Sequence, residues 1–338
     1  MRAVAYKTPG PVTDATVLQD IDLPRPEPKR RDLLVEIRAV SVNPVDTKVR
    51  AGGRGATDDW RVLGYDAAGI VVATGPDATR FQPGDAVFYA GDITRQGSNA
   101  EFQLVDERIV GRKPATLDWA QAAALPLTAI TAWEALFDRL DVRRAVPGAS
   151  SILIVGAAGG VGSIAVQLAR QLTGLTVIGT ASRPETANWV KELGAHHVID
   201  HANPLSEELA KAGLAAPGFV LITTQTDAHW PEIAKLIAPQ GRVALIDDPK
   251  TADIMPFKRK AVSVHWEFMF ARSMFQTADI EEQANLLDEV SRLVDAGTLK
   301  TTLGAHGGAI NAANLRKAHA LIESGKARGK IVLEGFGA

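Results

Sequence analysis

The segment from Ser151 to Ala169, SILIVGAAGGVGSIAVQLA, constrains the fold of this 338-residue chain more than any other stretch. An apolar, β-branched run breaks into glycines and resumes as an apolar pattern with helical spacing, which predicts a strand, a phosphate-binding loop and a helix. Glycines let the backbone approach a diphosphate, whose charge then lies against free amide groups at the helix start. The segment therefore predicts a bound dinucleotide. The loop residues expected to contact it are Gly156, Ala158, Gly159, Gly160, Val161 and Gly162.

The same segment allows a second interpretation, because no charged residue occurs from Ala145 to Ala169 and a span of that length can cross a bilayer. Pro147 and the glycine cluster argue against a membrane helix, and small residues follow the loop at helical spacing. The first ten residues carry a lysine and turn formers where a secretion signal needs an uninterrupted apolar core. We therefore expect no membrane partner and a cytoplasmic protein.

Composition narrows the class of partner. The chain has 46% hydrophobic and 22% charged residues, a formal net charge of -2 and no cysteine. A net charge this close to zero gives no general attraction for nucleic acid. The absence of cysteine excludes disulfides, thiolate zinc sites and iron–sulfur clusters. The expected partner is a small molecule.

The distribution of apolar runs predicts two kinds of domain. Short runs separated by Pro and Gly turns fill the first third of the chain and predict a compact, barrel-like β unit. Helix formers follow from Leu117, with one helix expected over Leu127–Leu140. Beyond the glycine loop, strands alternate with helices such as Trp230–Ile237, which predicts a parallel, doubly wound sheet. A last strand at Ile331–Leu333 is expected to return to the first domain.

The tip of the second strand of the wound sheet indicates which nucleotide is bound. It reads GTASR over residues 179–183, with no acid before Glu185. An acidic residue at this place holds the adenine ribose of NAD, whereas Arg183 can pair with a 2′-phosphate and the Ser182 hydroxyl can add a hydrogen bond. We therefore expect NADP(H), with a solvated Arg183 as the alternative. His201 follows the next predicted strand and is a further phosphate candidate, although a loop histidine is commonly a surface residue.

Five segments, in this order, resemble the medium-chain dehydrogenases and reductases, and within them the zinc-independent quinone oxidoreductase and enone reductase branch. The segments are NPVDTK from Asn43, LGYDAAG from Leu63, FQPGDAVF from Phe81, AAALPLTAITAWEAL from Ala122 and GAAGGVG from Gly156. The resemblance implies an α/β fold with a GroES-like β-barrel catalytic domain, 1–125 and 267–338, and a Rossmann NADP-binding domain, 126–266. It also implies an active site in the cleft between the domains and a homodimer.

Zinc alcohol dehydrogenases, which resemble this chain more distantly, carry ligands that it lacks. They have an early cysteine ligand, a His-Glu pair where this chain has Tyr65-Asp66, and four clustered cysteines where it has residues 90–100. The resemblance therefore implies an enzyme without a metal. Zinc polarises an alcohol or aldehyde oxygen during hydride transfer, so we expect a quinone or an α,β-unsaturated carbonyl, for which hydrogen-bond donors suffice. A non-catalytic NADPH-binding sensor or crystallin-like structural protein is the alternative, and a zinc alcohol dehydrogenase is a more remote one.

The resemblance supplies the candidate catalytic residues Asn43, Lys48 and Tyr65. By family position, Asn43 contacts the nicotinamide ribose or the substrate oxygen, Lys48 binds the substrate oxygen or a cofactor hydroxyl, and Tyr65 faces the cleft. A surface ion pair with Asp46 is the alternative for Lys48, and packing in the space vacated by the metal is the alternative for Tyr65. Thr131 is expected to bind the nicotinamide carboxamide or ribose, unless its hydroxyl only satisfies its own helix.

Overall fold

The structure, a computed structural model, describes residues 1–53 and 59–337. Residue contacts divide the chain into two compact units: Met1–Ile130 together with Phe270–Ala338, and Thr131–Met269. The first unit is therefore built from both ends of the chain. The domain boundaries expected after residues 125 and 266 stay a prediction.

Strands dominate the first third of the chain, where Pro and Gly turns separate the apolar runs. The described strands of this region are β1 (Arg2–Tyr6), β2 (Gln19–Asp22), β3 (Asp32–Val42), β4 (Arg61–Val62), β5 (Ala67–Thr74), β6 (Ala86–Tyr89), β7 (Phe102–Asp106) and β8 (Val110–Arg112). The helical segments that accompany them are α1 (Pro44–Lys48), a π-helical turn (Val49–Gly53), a 3-10 turn (Glu107–Ile109), α2 (Trp119–Ala123) and α3 (Pro126–Trp133). The helix expected over Leu127–Leu140 is thus α3 followed by a π-helical turn at Glu134–Arg139.

Strands and helices alternate in the second unit. In chain order they are β9 (Ser151–Val155), α4 (Gly160–Leu172), β10 (Thr176–Thr180), α5 (Pro184–Glu192), β11 (His197–Ile199), α6 (Leu205–Lys211), β12 (Phe219–Ile222), α7 (Thr226–Leu236), β13 (Arg242–Leu245), a 3-10 segment (Met255–Lys260) and β14 (Ser263–Trp266). The strands pair in parallel in the order β11-β10-β9-β12-β13-β14. The predicted doubly wound sheet is confirmed, and its strand order reverses between β9 and β12.

The core of this sheet explains why its strands read as unbroken apolar runs. All four residues of β12, Phe219–Ile222, are buried. Val220 and Ile222 belong to one apolar cluster with side chains of α7 such as Trp230 and Ile233. A parallel strand covered on both faces has no solvent side, so polar residues do not alternate with apolar ones along it.

Helix α7 begins earlier than the sequence suggests. Helix was expected over Trp230–Ile237, but α7 starts at Thr226 and contains Pro231. The carboxylate of Asp247, which follows β13, accepts the Thr226 backbone N–H at 3.0 Å and so satisfies one donor of the first turn. The capping group comes from a distant segment, and the local pattern could not reveal it.

The last segment of the chain completes the first unit. Its elements are α8 (Ala271–Phe275), α9 (Glu282–Asp295), β15 (Leu303–His306), α10 (Ala312–Glu323) and β16 (Lys330–Glu334). The larger sheet of this unit has the order β15-β16-β3-β5-β6-β8, with β7 also paired to β3, and the smaller sheet has the order β2-β1-β4. Strand β16 pairs antiparallel with β3, Ile331 opposite Val42, which confirms that the tail returns to the first domain.

No helix within residues 1–53 and 59–337 is both long enough and apolar enough to cross a membrane.

Candidate functional site

The glycine loop after β9 has the geometry of a phosphate cradle. Gly156 has a φ of +78°, in the region that favours glycine, and a Cβ there would lie 2.5 Å from Thr223 Oγ1. A Cβ on Gly162 would lie 2.4 Å from the carbonyl oxygen of Gly156. Side chains at these two positions would therefore close the loop. The other predicted contacts, Ala158, Gly159, Gly160 and Val161, lie in the same turn and in the first turn of α4.

Helix α4 presents its first backbone amides at this loop. The helix has 13 residues, and Gly159 caps its start without a side-chain hydrogen bond. The first N–H groups of a helix have no intrahelical acceptor, and the helix dipole places partial positive charge there. The loop and the helix start together fit the diphosphate of a dinucleotide.

The hydroxyl of Thr180 connects this loop to the neighbouring strand, a role that the sequence analysis did not assign. Thr180 ends β10 and is completely buried. Its Oγ1 accepts the Gly156 N–H at 3.0 Å and hydrogen bonds with Nδ1 of His201 at 2.9 Å. His201 thus lies beside the glycine loop, and its contact with a phosphate stays a prediction.

His201 is set to remain neutral. Partial burial and the nearby Arg183 lower its pKa, while Asp200 opposes that effect. Its ring lies 6.2 Å from the ring of His229, whose pKa burial also lowers. His201 is therefore suited to serve as a neutral hydrogen-bond partner at physiological pH.

Ser182 and Arg183 lie at the tip of β10, directly before α5. Ser182 is exposed and Arg183 is partly exposed. Arg183 Nε lies 3.2 Å from Oε1 of Glu185 in a pair that water reaches from both sides. An exposed pair of this kind stabilises little, so a doubly charged phosphate can compete for the guanidinium.

A buried network of four polar side chains forms in the first unit around the loop that carries Tyr65. Its members are Asn43, Asp46, Asp66 and Lys330, each at most 2% exposed. Lys330 Nζ donates to Oδ1 of Asn43, to Oδ2 of Asp66 at 2.9 Å and to the Val42 carbonyl at 3.0 Å. The Asn43 amide then donates to Asp66 Oδ2 at 2.8 Å. Both ends of the Asn43 side chain therefore bind groups of its own unit.

The two carboxylates of this network fix the backbone on either side of Tyr65. Asp46 accepts the N–H groups of Asn43 at 2.8 Å and Gly64 at 3.0 Å. Asp66 Oδ1 accepts the N–H of Leu127 at 2.7 Å, in the first turn of α3. Gly64 and Asp66 flank Tyr65 in sequence, so its backbone is held from both directions.

Two buried acids share one buried cation, which affects their titration. Burial raises the pKa of Asp46 to about 7, against the effect of the backbone hydrogen bonds and of Lys330, while Asp66 adds to the rise. Burial also raises the pKa of Asp66, although Lys330 and Asn43 oppose the increase. Asp46 is therefore a carboxyl group of this network that can change its protonation near neutral pH.

Two of the candidate catalytic residues, Tyr65 and Lys48, differ sharply in exposure. Tyr65 is 2% exposed, and its ring packs edge-on against Phe270 with centroids 5.5 Å apart. Lys48, the last residue of α1, is exposed, while Asp46 on the same helix points into the network. Thr131 lies in α3 and is 5% exposed. The structure thus places Asn43 in the buried network and Tyr65 beside it, and leaves Lys48 at the surface.

Sequence reasoning missed Asp66 and Lys330. Lys330 belongs to the segment GKARGK, which matches no complete phosphate-loop pattern. Asp66 was noted only because it stands where zinc alcohol dehydrogenases have the glutamate of a His-Glu pair. One signal was present, because Lys330 directly precedes the apolar run of the predicted closing strand. A lysine at the start of a buried strand needs an acidic partner.

The described residues do not fit a zinc site. Across residues 1–53 and 59–337, no three His, Cys, Asp or Glu side chains lie close enough together to hold a metal ion. A catalytic zinc needs three protein ligands with thiolate, imidazole or carboxylate groups.

Comparisons with known proteins place this geometry in context. The alcohol dehydrogenase GroES-like domain family matches residues 29–115, and the zinc-binding dehydrogenase family matches residues 193–333. The crystal structure of a Rhizobium etli protein, named for the zinc-dependent alcohol dehydrogenases, superposes with a TM-score of 0.98. It is 68% identical and covers 100% of this chain and 99% of its own.

Three relatives extend the comparison to named activities. A zinc-type alcohol dehydrogenase-like protein of Staphylococcus aureus is 37% identical over 98% of this chain and 99% of its own length. Human quinone oxidoreductase is 32% identical over 70% of both chains. A 2-methylene-furan-3-one reductase of Solanum lycopersicum is 29% identical over 98% of this chain and 79% of its own length.

Proposed function

The chain belongs to the medium-chain dehydrogenase/reductase superfamily, and from this premise we propose that it is an NADPH-dependent, metal-free reductase of quinones or α,β-unsaturated carbonyls. One observation carries the proposal. At the carboxyl edge of the wound sheet, the glycine loop after β9 lies beside the tip of β10, which has Arg183 and no acidic residue before Glu185. The named activities of the human and tomato relatives support the two acceptor classes.

The residues that would hold the cofactor come chiefly from the loops after β9 and β10. The amides of the glycine loop and of α4 bind the diphosphate, and Ser182 and Arg183 bind the 2′-phosphate. His201 acts as a neutral hydrogen-bond partner through its contact with Thr180. Thr131 binds the nicotinamide carboxamide or ribose. When bound, NADPH supplies the hydride.

The acceptor must tolerate an active site without a metal. Hydride addition to the β-carbon of an enone, or to a quinone, moves negative charge to an oxygen some bonds away, and hydrogen-bond donors can stabilise that charge. Lys48 is the exposed donor among the candidates, and it binds the acceptor oxygen in our proposal. The Tyr65 hydroxyl is the second donor, on a backbone that Asp46 and Asp66 hold rigidly.

Asn43 takes a positioning role in this proposal. Its amide oxygen accepts from Lys330 and its amide nitrogen donates to Asp66, so the side chain orients the network. Its effect on the nicotinamide ribose or the substrate is exerted through the loop that carries Tyr65.

Turnover of NADPH with a panel of quinones, enals and enones tests the function directly. We expect oxidation of NADPH, followed by its absorbance, with at least one class of acceptor, and little with simple aldehydes. Tight NADPH binding without turnover of any acceptor would instead support the non-catalytic sensor or structural protein. Turnover of simple alcohols that depends on added zinc would contradict the metal-free proposal.

Replacement of Arg183 by alanine tests the choice of nucleotide. We expect the Kd for NADPH to rise by about tenfold or more, because a charge-assisted hydrogen bond is worth about 1.5–3 kcal/mol. The Kd for NADH should change little, since NADH carries no 2′-phosphate. Glu185→Gln is the matched control, because it removes the exposed partner of Arg183 and leaves the guanidinium in place. An equal loss for both nucleotides would contradict a 2′-phosphate contact.

The proposal includes a homodimer. Strand β14 is one of the two outermost described strands of the wound sheet, and Trp266 at its end and Phe268 just beyond it are 57% and 49% exposed. An exposed apolar edge strand is a template for pairing with a second chain. Light scattering should return the mass of two chains, and a mass of one chain would contradict this part of the proposal.

A further inference from the structure

A second buried ionic cluster lies in the Thr131–Met269 unit, away from the phosphate loop. Glu134 and Arg139 belong to the π-helical turn after α3, and Glu267 directly follows β14. Glu134 is 1% exposed and Glu267 is 3% exposed. Arg139 Nε donates to Oε2 of Glu267 at 2.9 Å. The cluster therefore contains two buried acids and one base.

The contact between the two acids requires a proton. Oε1 of Glu267 is buried and accepts no hydrogen bond from an N–H or hydroxyl group. The Glu267 carboxyl instead lies within hydrogen-bond reach of the Glu134 carboxyl. Two ionised carboxylates repel each other and cannot hydrogen bond, so one of them must be protonated.

The charges around the pair support a single shared proton. With one proton, the pair carries one negative charge, which Arg139 balances. Burial raises the pKa of Glu267 well above its usual range, and the charge of Glu134 raises it further, while Arg139 opposes both. His265 on β14 is a further titratable group near Arg139, and burial together with Arg139 and Arg242 lowers its pKa, so it adds no charge at neutral pH.

The position of the cluster in the sheet indicates its role. The Glu267 N–H donates to the Leu245 carbonyl at 3.0 Å and extends the parallel pairing of β14 with β13 at the carboxyl edge. The strand order has two halves that meet between β9 and β12, and β14 belongs to the half without the phosphate loop. In a doubly wound sheet each half binds one mononucleotide, so this half receives the nicotinamide.

We propose that Glu134 and Glu267 share one proton and, with Arg139, act as positioning residues that hold the carboxyl end of β14 for the nicotinamide half of the cofactor. The proton stays within the pair and is not transferred to the substrate. The cofactor role rests on the proposed function, whereas the shared proton does not.

Infrared spectroscopy tests the shared proton directly. In D2O at about pD 8, where ordinary carboxyl groups are ionised, we expect the wild-type protein to show the carbonyl stretch of one protonated carboxylic acid in addition to any contribution of Asp46 and Asp66, whose pKa burial also raises. The band should disappear in Glu267→Gln and also in Glu134→Gln, because the remaining acid then accepts from a neutral amide and can ionise. Glu207→Gln, an exposed glutamate on α6, is the matched control and should keep the band. Absence of the band in the wild type, or its persistence in both variants, would overturn the shared proton.

The affinity for NADPH as a function of pH tests the positioning role. Above neutrality the wild-type pair loses its proton, and we expect the Kd to rise on the order of tenfold by about pH 10. In Glu267→Gln the amide mimics the protonated acid at every pH, so its Kd should change less than about twofold over the same range. The same alkaline rise in both proteins would overturn the role of the pair. Failure of both proteins to bind NADPH at any pH would remove the cofactor role together with the proposed function, while the infrared result would still decide the shared proton.

Discussion

The loop that carries Tyr65 and the loop that begins at Gly156 are held in place by different interactions. Around Tyr65, the carboxylates of Asp46 and Asp66 accept backbone N–H groups, and Lys330 neutralises them from β16. Around Gly156, the contacts are uncharged: close backbone approach and the hydroxyl of Thr180.

This difference suggests what each loop is suited to do. A phosphate cradle needs its amides free for the ligand, and a resident carboxylate would repel the diphosphate. The Tyr65 loop instead uses its internal carboxylates to fix the backbone, and its rigidity depends on keeping their charges balanced. The Tyr65 loop should therefore be sensitive to changes of charge and pH, and the Gly156 loop should be sensitive to added side-chain volume.

Removal of the positive charge of Lys330 should produce the largest effect on stability. Lys330→Met keeps the length of the side chain but leaves Asp46 and Asp66 without a neutralising partner. We expect a loss of about 3–5 kcal/mol in the free energy of unfolding, because an uncompensated buried charge remains. Denaturant unfolding measures the loss, with Lys191→Met, an exposed lysine on α5, as the control. A change as small as that of the control would show that Lys330 does not hold the Tyr65 loop.

One added methyl group in the glycine loop should produce an intermediate effect. Gly162→Ala places a Cβ against the Gly156 carbonyl oxygen, and overpacking of this kind costs about 1–3 kcal/mol. We expect the Kd for NADPH to rise by about tenfold or more, because the loop must move away from the diphosphate. Gly174→Ala is the matched control, since a Cβ there would meet no atom within 4 Å. Equal NADPH affinity in the two variants would contradict the cradle.

The pH dependence of stability should show the most specific difference, because it is spread over several pH units and depends on one carboxyl group. The pKa of Asp46 in the folded protein, about 7, lies above the ordinary value of 3.8 for an aspartate, so the folded state binds the extra proton between these values. Its stabilising contribution is complete below about pH 4 and is lost as the pH rises to about 7, by at most about 1.4 kcal/mol per pH unit. Asp46→Asn should flatten this part of the profile of unfolding free energy against pH. Asp77→Asn, at an exposed position, should leave it unchanged, and an unaltered slope in Asp46→Asn would assign the titration to another group.

Much of the fold could be predicted because its signals are local. The glycines between an apolar strand and an apolar helix indicate the phosphate loop, and the alternation after it indicates the wound sheet, as β9 and α4 show. The return of the tail followed from one apolar run, Ile331–Leu333, which β16 contains. Where a partner came from a distant segment, prediction failed: α7 starts at Thr226 because Asp247 caps it.

The sequence by itself determined the glycine loop, the parallel sheet and the strand tip with Ser182 and Arg183, because chain spacing and residue type suffice for each. Only the tertiary structure decided which charges are buried together. Lys330 meets Asp66 across 264 positions of the chain, and Glu134 meets Glu267 on a different element. Burial makes these contacts energetically important, because a charge that water would solvate anywhere along an extended chain must find its partner inside the folded one.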